Sequence, residues 1–185
     1  MVKKNACVFI SGSGTNLKAL IKSSRNYNFP INIKYIVSNT KKAYGLRFAR
    51  LYKIPYLLIN LKNNLKTEQL FKELKKYNIS IICLAGYMKV LKKKFIQRFK
   101  NKIINIHPSL LPKYKGLDTF NRVLKAKEKI TGCTVHYVTD KLDSGKIILK
   151  KKINILPGED STKLKIRVQN QEYKAYSEAI YSIYR

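Results

Sequence analysis

An α/β fold built on an open, mostly parallel sheet is predicted by three features of the sequence. Short apolar runs alternate with segments of helical period through the first hundred or so residues. The first run, ACVFIS at residues 6–11, leads straight into the glycine turn SGSG and then a helical stretch. Near the other end, CTVHYVTD and KIILKKKINI are separated only by the polar segment KLDSGK. Strands connected through helices pair in parallel with right-handed crossovers. Strands joined by a short polar turn pair antiparallel. The sheet is therefore Rossmann-like, with helices on both faces and an antiparallel C-terminal edge hairpin.

Taken in order, residues 6–11 form a buried strand, and Gly12 and Gly14 turn the chain into a helix over 16–25. INIKYIVS (31–38) is a second strand, followed by a helix through 45–52, and PYLLIN (55–60) is a third strand. LKTEQLFKELKKY brings Leu65, Leu70, Phe71 and Leu74 to one helical face. ISIICLAG (79–86) and KIINIHP are two further strands, with the helical LKKKFIQRF between them. A helix near 117–128 precedes CTVHYVTD, whose alternation predicts a strand with one face more exposed. KIILKKKINI returns as its partner. Pro157-Gly158 and an acidic, Ser/Thr-rich turn then open a closing helix. No linker or repeat interrupts the pattern, so residues 1–185 read as one domain.

Composition narrows the class. No apolar run approaches the roughly 18 residues of a membrane helix, and the N-terminus lacks a secretory leader pattern. Cys7, Cys83 and Cys133 are odd in number and sit in apolar runs, which fits buried free thiols in a reducing cytoplasm rather than disulfides or a zinc site. The 39 Lys and Arg against 10 Asp and Glu give a formal charge of +29. Nucleic acid is the partner such a charge first suggests. The excess is mostly lysine, however, spread without a basic tail over strand-like and helix-like segments alike. It reads as a compositional bias, and no specific nucleic acid is expected. In either case the field draws in anionic substrates.

Two stretches carry candidate chemistry. A dinucleotide fingerprint needs a third glycine, but the position three beyond Gly14 is Leu17. Gly14, Thr15 and Asn16 suit a single phosphate at a helix N-terminus instead. In NIHPSLLP, Asn105 and His107 lie two apart at a strand end and project to the same side. An asparagine amide can donate to a developing oxyanion, and an imidazole can shuttle a proton. Asp143, in the polar and exposed-type turn TDKLDSGKI, is placed by the hairpin within reach of His107, where a carboxylate favours the imidazolium. His136 lies in mid-strand and reads as packing or a local hydrogen bond.

ISGSGTNL, LAGYMKVL, NIHPSLLPKYKGL, TGCTVHYVTDKLDSGKII and VQNQEY together resemble, in order and spacing, the phosphoribosylglycinamide formyltransferase family. The likeness runs over residues 2–173. It implies an open Rossmann-like sheet, no metal, and 10-formyltetrahydrofolate as cosubstrate. The amine of glycinamide ribonucleotide attacks the formyl carbon through a tetrahedral intermediate. Asn105 and His107 would stabilise its oxygen, and Asp143 would hold the His107 charge and help remove the amine proton. Gly14, Thr15 and Asn16 would hold the ribose phosphate, and Glu172 the glycinamide end. Met88, Lys89, Val90 and Leu91, with Thr139, Asp140, Lys141 and Leu142, would line the pterin pocket. The resemblance implies a cytoplasmic monomer or homodimer acting on small molecules, away from membranes. Two departures stand out. The family's folate-contacting arginine has no counterpart in NLKNNLKTE, where Lys62 or Lys66 would substitute, and Asp118 and Phe120 replace histidines found in some relatives. Methionyl-tRNA formyltransferase shares the Asn, His and Asp core. Its relatives use a further C-terminal domain, which is not expected here.

Overall fold

The computed structural model describes residues 2–61 and 63–185. Seven strands form one sheet: β1 (Lys4–Ile10), β2 (Ile31–Ser38), β3 (Tyr56–Leu58), β4 (Ile79–Leu84), β5 (Lys102–His107), β6 (Ile130–Tyr137) and β7 (Ile147–Asn154). Their spatial order is β3-β2-β1-β4-β5-β6-β7. The first five pair in parallel, and β6 and β7 run antiparallel to their neighbours. Helices α1 (Thr15–Ser24), α2 (Leu46–Leu51), α3 (Asn64–Lys76), α4 (Lys93–Arg98), α5 (Thr119–Lys125) and α6 (Ser161–Tyr184) cover its faces.

Two apolar layers sandwich the sheet. On one side Ala6, Val8, Ile10, Ile81 and Cys83 pack with Leu17, Leu20, Leu164, Tyr176 and Ile180 from α1 and α6. On the other, Cys7, Phe9, Ile82 and Leu84 pack with Leu70, Leu74 and Phe95 from α3 and α4. A strand buried on both faces needs apolar residues at every position. Hence residues 6–10 of β1 are unbroken in hydrophobicity and fully buried. On α6 the buried set is Leu164, Val168, Glu172, Ala175, Tyr176, Ala179 and Ile180, a stripe at helical spacing that includes one carboxylic acid. The helix begins where Asp160 accepts a 2.8 Å hydrogen bond from the Lys163 N–H, a side-chain cap of an otherwise unpaired amide.

Three local expectations are corrected. Leu65 is 82% exposed, because it precedes the buried Leu74 by about two and a half helical turns and so stands on the opposite side of α3. The helix expected over 117–128 is confined to Thr119–Lys125. Strand β6 is buried over Thr131–His136 on both faces, since it lies between β5 and β7 under α6. The half-exposed alternation belongs to β7.

Candidate active site

Parallel order reverses between β1 and β4: the connection after β1 leads outward to β2, and that after β4 leads the other way to β5. Loops leaving the carboxyl ends of such a strand pair diverge and open a crevice. Here the loops are tied at their base, where the Ser11 N–H donates to the Gly86 carbonyl (3.2 Å) and the Met88 N–H to Ser11 Oγ (2.8 Å). The cleft beyond them has a volume of about 760 Å³ and extends from the Gly14 turn to Asp143.

Asn105, His107 and Asp143 meet in this cleft as expected. Asn105 and His107 stand on the same side at the end of β5, and Asp143 Oδ2 approaches His107 Nδ1 at 3.3 Å. The approach depends on the loop after β5. Thr134 Oγ1 donates to the Ser109 carbonyl (2.7 Å) and accepts from the Leu111 N–H (3.1 Å), which fastens the loop to β6. The loop then presents the Tyr114 carbonyl 2.8 Å from His107 Nε2, and the Gly116 N–H 2.9 Å from Asp143 Oδ2. Asp143 is only 9% exposed, which corrects the exposed turn expected for it: the loop after β5 folds over the hairpin turn and covers it. His136 is buried and makes the local hydrogen bond expected of it, to the Tyr137 carbonyl, but it also belongs to this group: its Nε2 is 3.3 Å from Asn105 Nδ2 and 3.6 Å from Asp143 Oδ1. The antiparallel register sets Asn105 directly opposite His136, a pairing that could have been found only by aligning β5 with β6.

Electrostatics divides the pair. Burial pulls the His107 ring below its ordinary value, outweighing the Tyr114 carbonyl and Asp143, which raise it. The carboxylate does favour the imidazolium, as expected, but desolvation outweighs it. Burial, the largest influence on Asp143, pushes its carboxyl up. The Gly116 N–H, which donates to it, and the attraction of a charged His107 ring hold it below the ordinary range all the same. A carbonyl only accepts, so His107 Nε2 carries a proton, while Nδ1 faces Asp143.

At the other end of the cleft, Gly14 adopts φ 74° and packs against Gly45, a contact not evident in the sequence. A Cβ on Gly14 would lie 2.4 Å from the Gly45 Cα, so two glycines are required where this turn crosses the start of α2. Thr15 and Asn16 open α1 with their amides toward the cleft side. Asn16 Nδ2 donates to Glu172 Oε2 at 2.7 Å, joining α1 to α6. Burial pushes the Glu172 carboxyl up to about 7 against the opposing hydrogen bond from Asn16. Asn16 Oδ1 is buried without a partner among the described residues.

Met88, Lys89, Val90 and Leu91 line the cleft, with Thr139, Lys141 and Leu142 opposite. Met88, Val90 and Leu142 are apolar yet more than half exposed, an apolar wall of the cleft. Asp140 is exposed and does not line the cleft. Lys66 is exposed on the first turn of α3, away from the cleft, and Lys62 lies outside the described residues. Asp118 and Phe120 do line it.

Asn105, His107 and Asp143 thus share one switch-point cleft with the Gly14 turn, an arrangement of the kind found in enzymes acting on small molecules. The chain belongs to the formyl transferase family, whose model matches residues 4–180. Its relatives are more particular. It is 42% identical over 177 residues to phosphoribosylglycinamide formyltransferase of Haemophilus influenzae, an alignment covering 94% of this chain and 84% of that one. It is 37% identical over 182 residues to the human trifunctional purine biosynthetic protein adenosine-3, covering 96% of this chain but 18% of that much longer one. The crystal structure of phosphoribosylglycinamide formyltransferase from Anaplasma phagocytophilum superposes with a TM-score of 0.90 at 36% identity, covering 97% of this chain and 85% of that one.

Proposed function

We propose that this chain transfers a formyl group from 10-formyltetrahydrofolate to the primary amine of glycinamide ribonucleotide. The observation that carries the reading is the convergence of Asn105, His107 and Asp143 in one cleft with the Gly14 turn and Glu172. The turn at Gly14, Thr15 and Asn16 holds the ribose phosphate on backbone amides and the dipole of α1. Glu172 takes the glycinamide end. The donor lies along the exposed apolar wall of Met88, Val90, Leu91 and Leu142, with Lys89, Thr139 and Lys141 at its polar edge. The lysines give this part of the cleft the charge that suits an anionic donor.

Each residue then has a defined task. As the amine attacks, a C–N bond forms and the formyl oxygen takes up negative charge. The Asn105 amide donates to that oxygen; a preorganised donor of this kind is worth roughly 100- to 1000-fold in rate. The amine proton passes to the Asp143–His107 pair, whose facing atoms are 3.3 Å apart. Asp143, whose carboxyl is held below the ordinary range, is the charged acceptor of that pair. Collapse of the intermediate breaks the carbon–nitrogen bond to the folate, and the pair returns the proton to the departing nitrogen. No bond to the enzyme is formed, so much of the acceleration comes from holding the substrates in register. We place the reaction in the cytoplasm, where Cys7, Cys83 and Cys133 would stay reduced.

A spectrophotometric assay of the purified protein, with each substrate omitted in turn, tests the reading. Folate product should form only when both substrates are present. Donor consumption that does not depend on the ribonucleotide would refute it.

A further inference from the structure

We propose that His136 is a positioning residue that aims the Asn105 amide into the cleft; the inference rests on the formyl-transfer reading above. The two residues face each other across the antiparallel β5–β6 pair, where side chains of opposed residues are neighbours. His136 is 2% exposed, and its Nδ1 lies 2.8 Å from the Tyr137 carbonyl. The carbonyl only accepts, so Nδ1 bears the proton and Nε2 presents a lone pair. Opposite that lone pair, at 3.3 Å, is Asn105 Nδ2, which only donates. Asp143 Oδ1, at 3.6 Å, is beyond hydrogen-bond length.

The consequence is directional. The two amide hydrogens of Asn105 are coplanar and splayed, so anchoring one on Nε2 fixes the heading of the other. Without an acceptor at that point the amide is free to turn over. Its oxygen would then face the developing oxyanion and repel it. The His107 ring is locked the other way, with its proton on Nε2 against the Tyr114 carbonyl. The two histidines of the chain therefore turn opposite ring nitrogens, Nε2 of His107 and Nδ1 of His136, toward backbone carbonyls.

Two measurements test this together. In imidazole 15N spectra of the labelled protein near neutral pH, one ring should be the Nδ1–H tautomer, and His136→Gln should remove that set. A His136 ring protonated on Nε2 would overturn the proposal. In formyl-transfer kinetics, His136→Leu should lower kcat about tenfold or more, toward the loss produced by Asn105→Ala. KM for both substrates should stay within about twofold. His136→Gln, whose side-chain oxygen reaches the same point as an acceptor, should recover most of kcat. Adding His136→Leu to Asn105→Ala should cost nothing further, since the residue acts through the amide. Additive losses, or equal losses in the Leu and Gln variants, would overturn it. If the wild-type protein does not turn over at all, the formyl-transfer reading falls, and the tautomer spectra still decide whether His136 anchors Asn105.

Discussion

Replacing Glu172 by Gln separates the energetic cost of a buried acid from its use. Glu172 occupies the apolar stripe of α6, is 6% exposed, and accepts from Asn16 Nδ2. Burial raises its carboxyl from 4.5 to about 7. Below pH 4.5 the folded and unfolded chains both carry the proton, and the residue costs nothing. Between 4.5 and about 7 the native state binds more protons than the unfolded chain, so stability falls as pH rises. Above 7 the full cost of a buried anion is present. At about 1.4 kcal/mol per pH unit, the gap from 4.5 to about 7 amounts to about 3 kcal/mol. Gln keeps an oxygen for Asn16 Nδ2 and brings N–H groups near Asn16 Oδ1, which lacks a partner among the described residues. Urea unfolding of both proteins from pH 4.5 to 8, followed by circular dichroism, should give similar stabilities at the acid end. At pH 8 the variant should be more stable by about 3 kcal/mol. The same variant should bind the ribonucleotide worse, seen as a raised KM. Parallel stability–pH curves for the two proteins would refute the argument, because they would mean that Glu172 is not a buried anion in the native state.

Asp143→Asn should lower turnover by at least about 100-fold in the steady-state assay, the usual scale for losing an acid–base group. Near-normal turnover would remove Asp143 from the mechanism. Because its folded carboxyl is held below the ordinary range, the wild type should lose stability as pH falls through that lowered value, a loss the Asn variant should not show in acid unfolding. Thr15→Asp should raise KM for the ribonucleotide through repulsion of its phosphate. A carboxylate in the first turn of a helix is otherwise favourable, so its melting temperature should not fall. An unchanged KM would place the phosphate elsewhere. Gly14→Ala combines a left-handed φ of 74° with a Cβ 2.4 Å from the Gly45 Cα, and should cost on the order of 1–3 kcal/mol in urea unfolding. A stability equal to wild type would show that the two turns can separate.

Much of this architecture follows from local periodicity. Ile31–Ser38 was delimited from its run of apolar residues alone, and the Gly12–Gly14 turn marked where β1 gives way to α1. Asn105 and His107 were paired by the two-residue repeat of a strand, which needs no knowledge of neighbours. Burial was less legible. The alternation in CTVHYVTD suggested an exposed face, yet β6 is covered on both sides, because burial depends on what lies beyond the next strand. Leu65 was assigned to the apolar face of its helix, yet it stands about half a turn away from Leu74 and is left in solvent.

What the sequence determined by itself is the class of fold and the identity of the reactive groups, because both follow from short-range repeats and from the chemistry of single side chains. Only the tertiary structure decided their state. It set His136 opposite Asn105, closed the Tyr114–Gly116 loop over Asp143, joined Asn16 to Glu172 from 156 residues away, and pulled the His107 ring below its ordinary value by burial. The physical reason is that proton affinity, amide heading and exposure are fixed by groups distant along the chain. Their positions arise only when the sheet order and the crossings over it are complete.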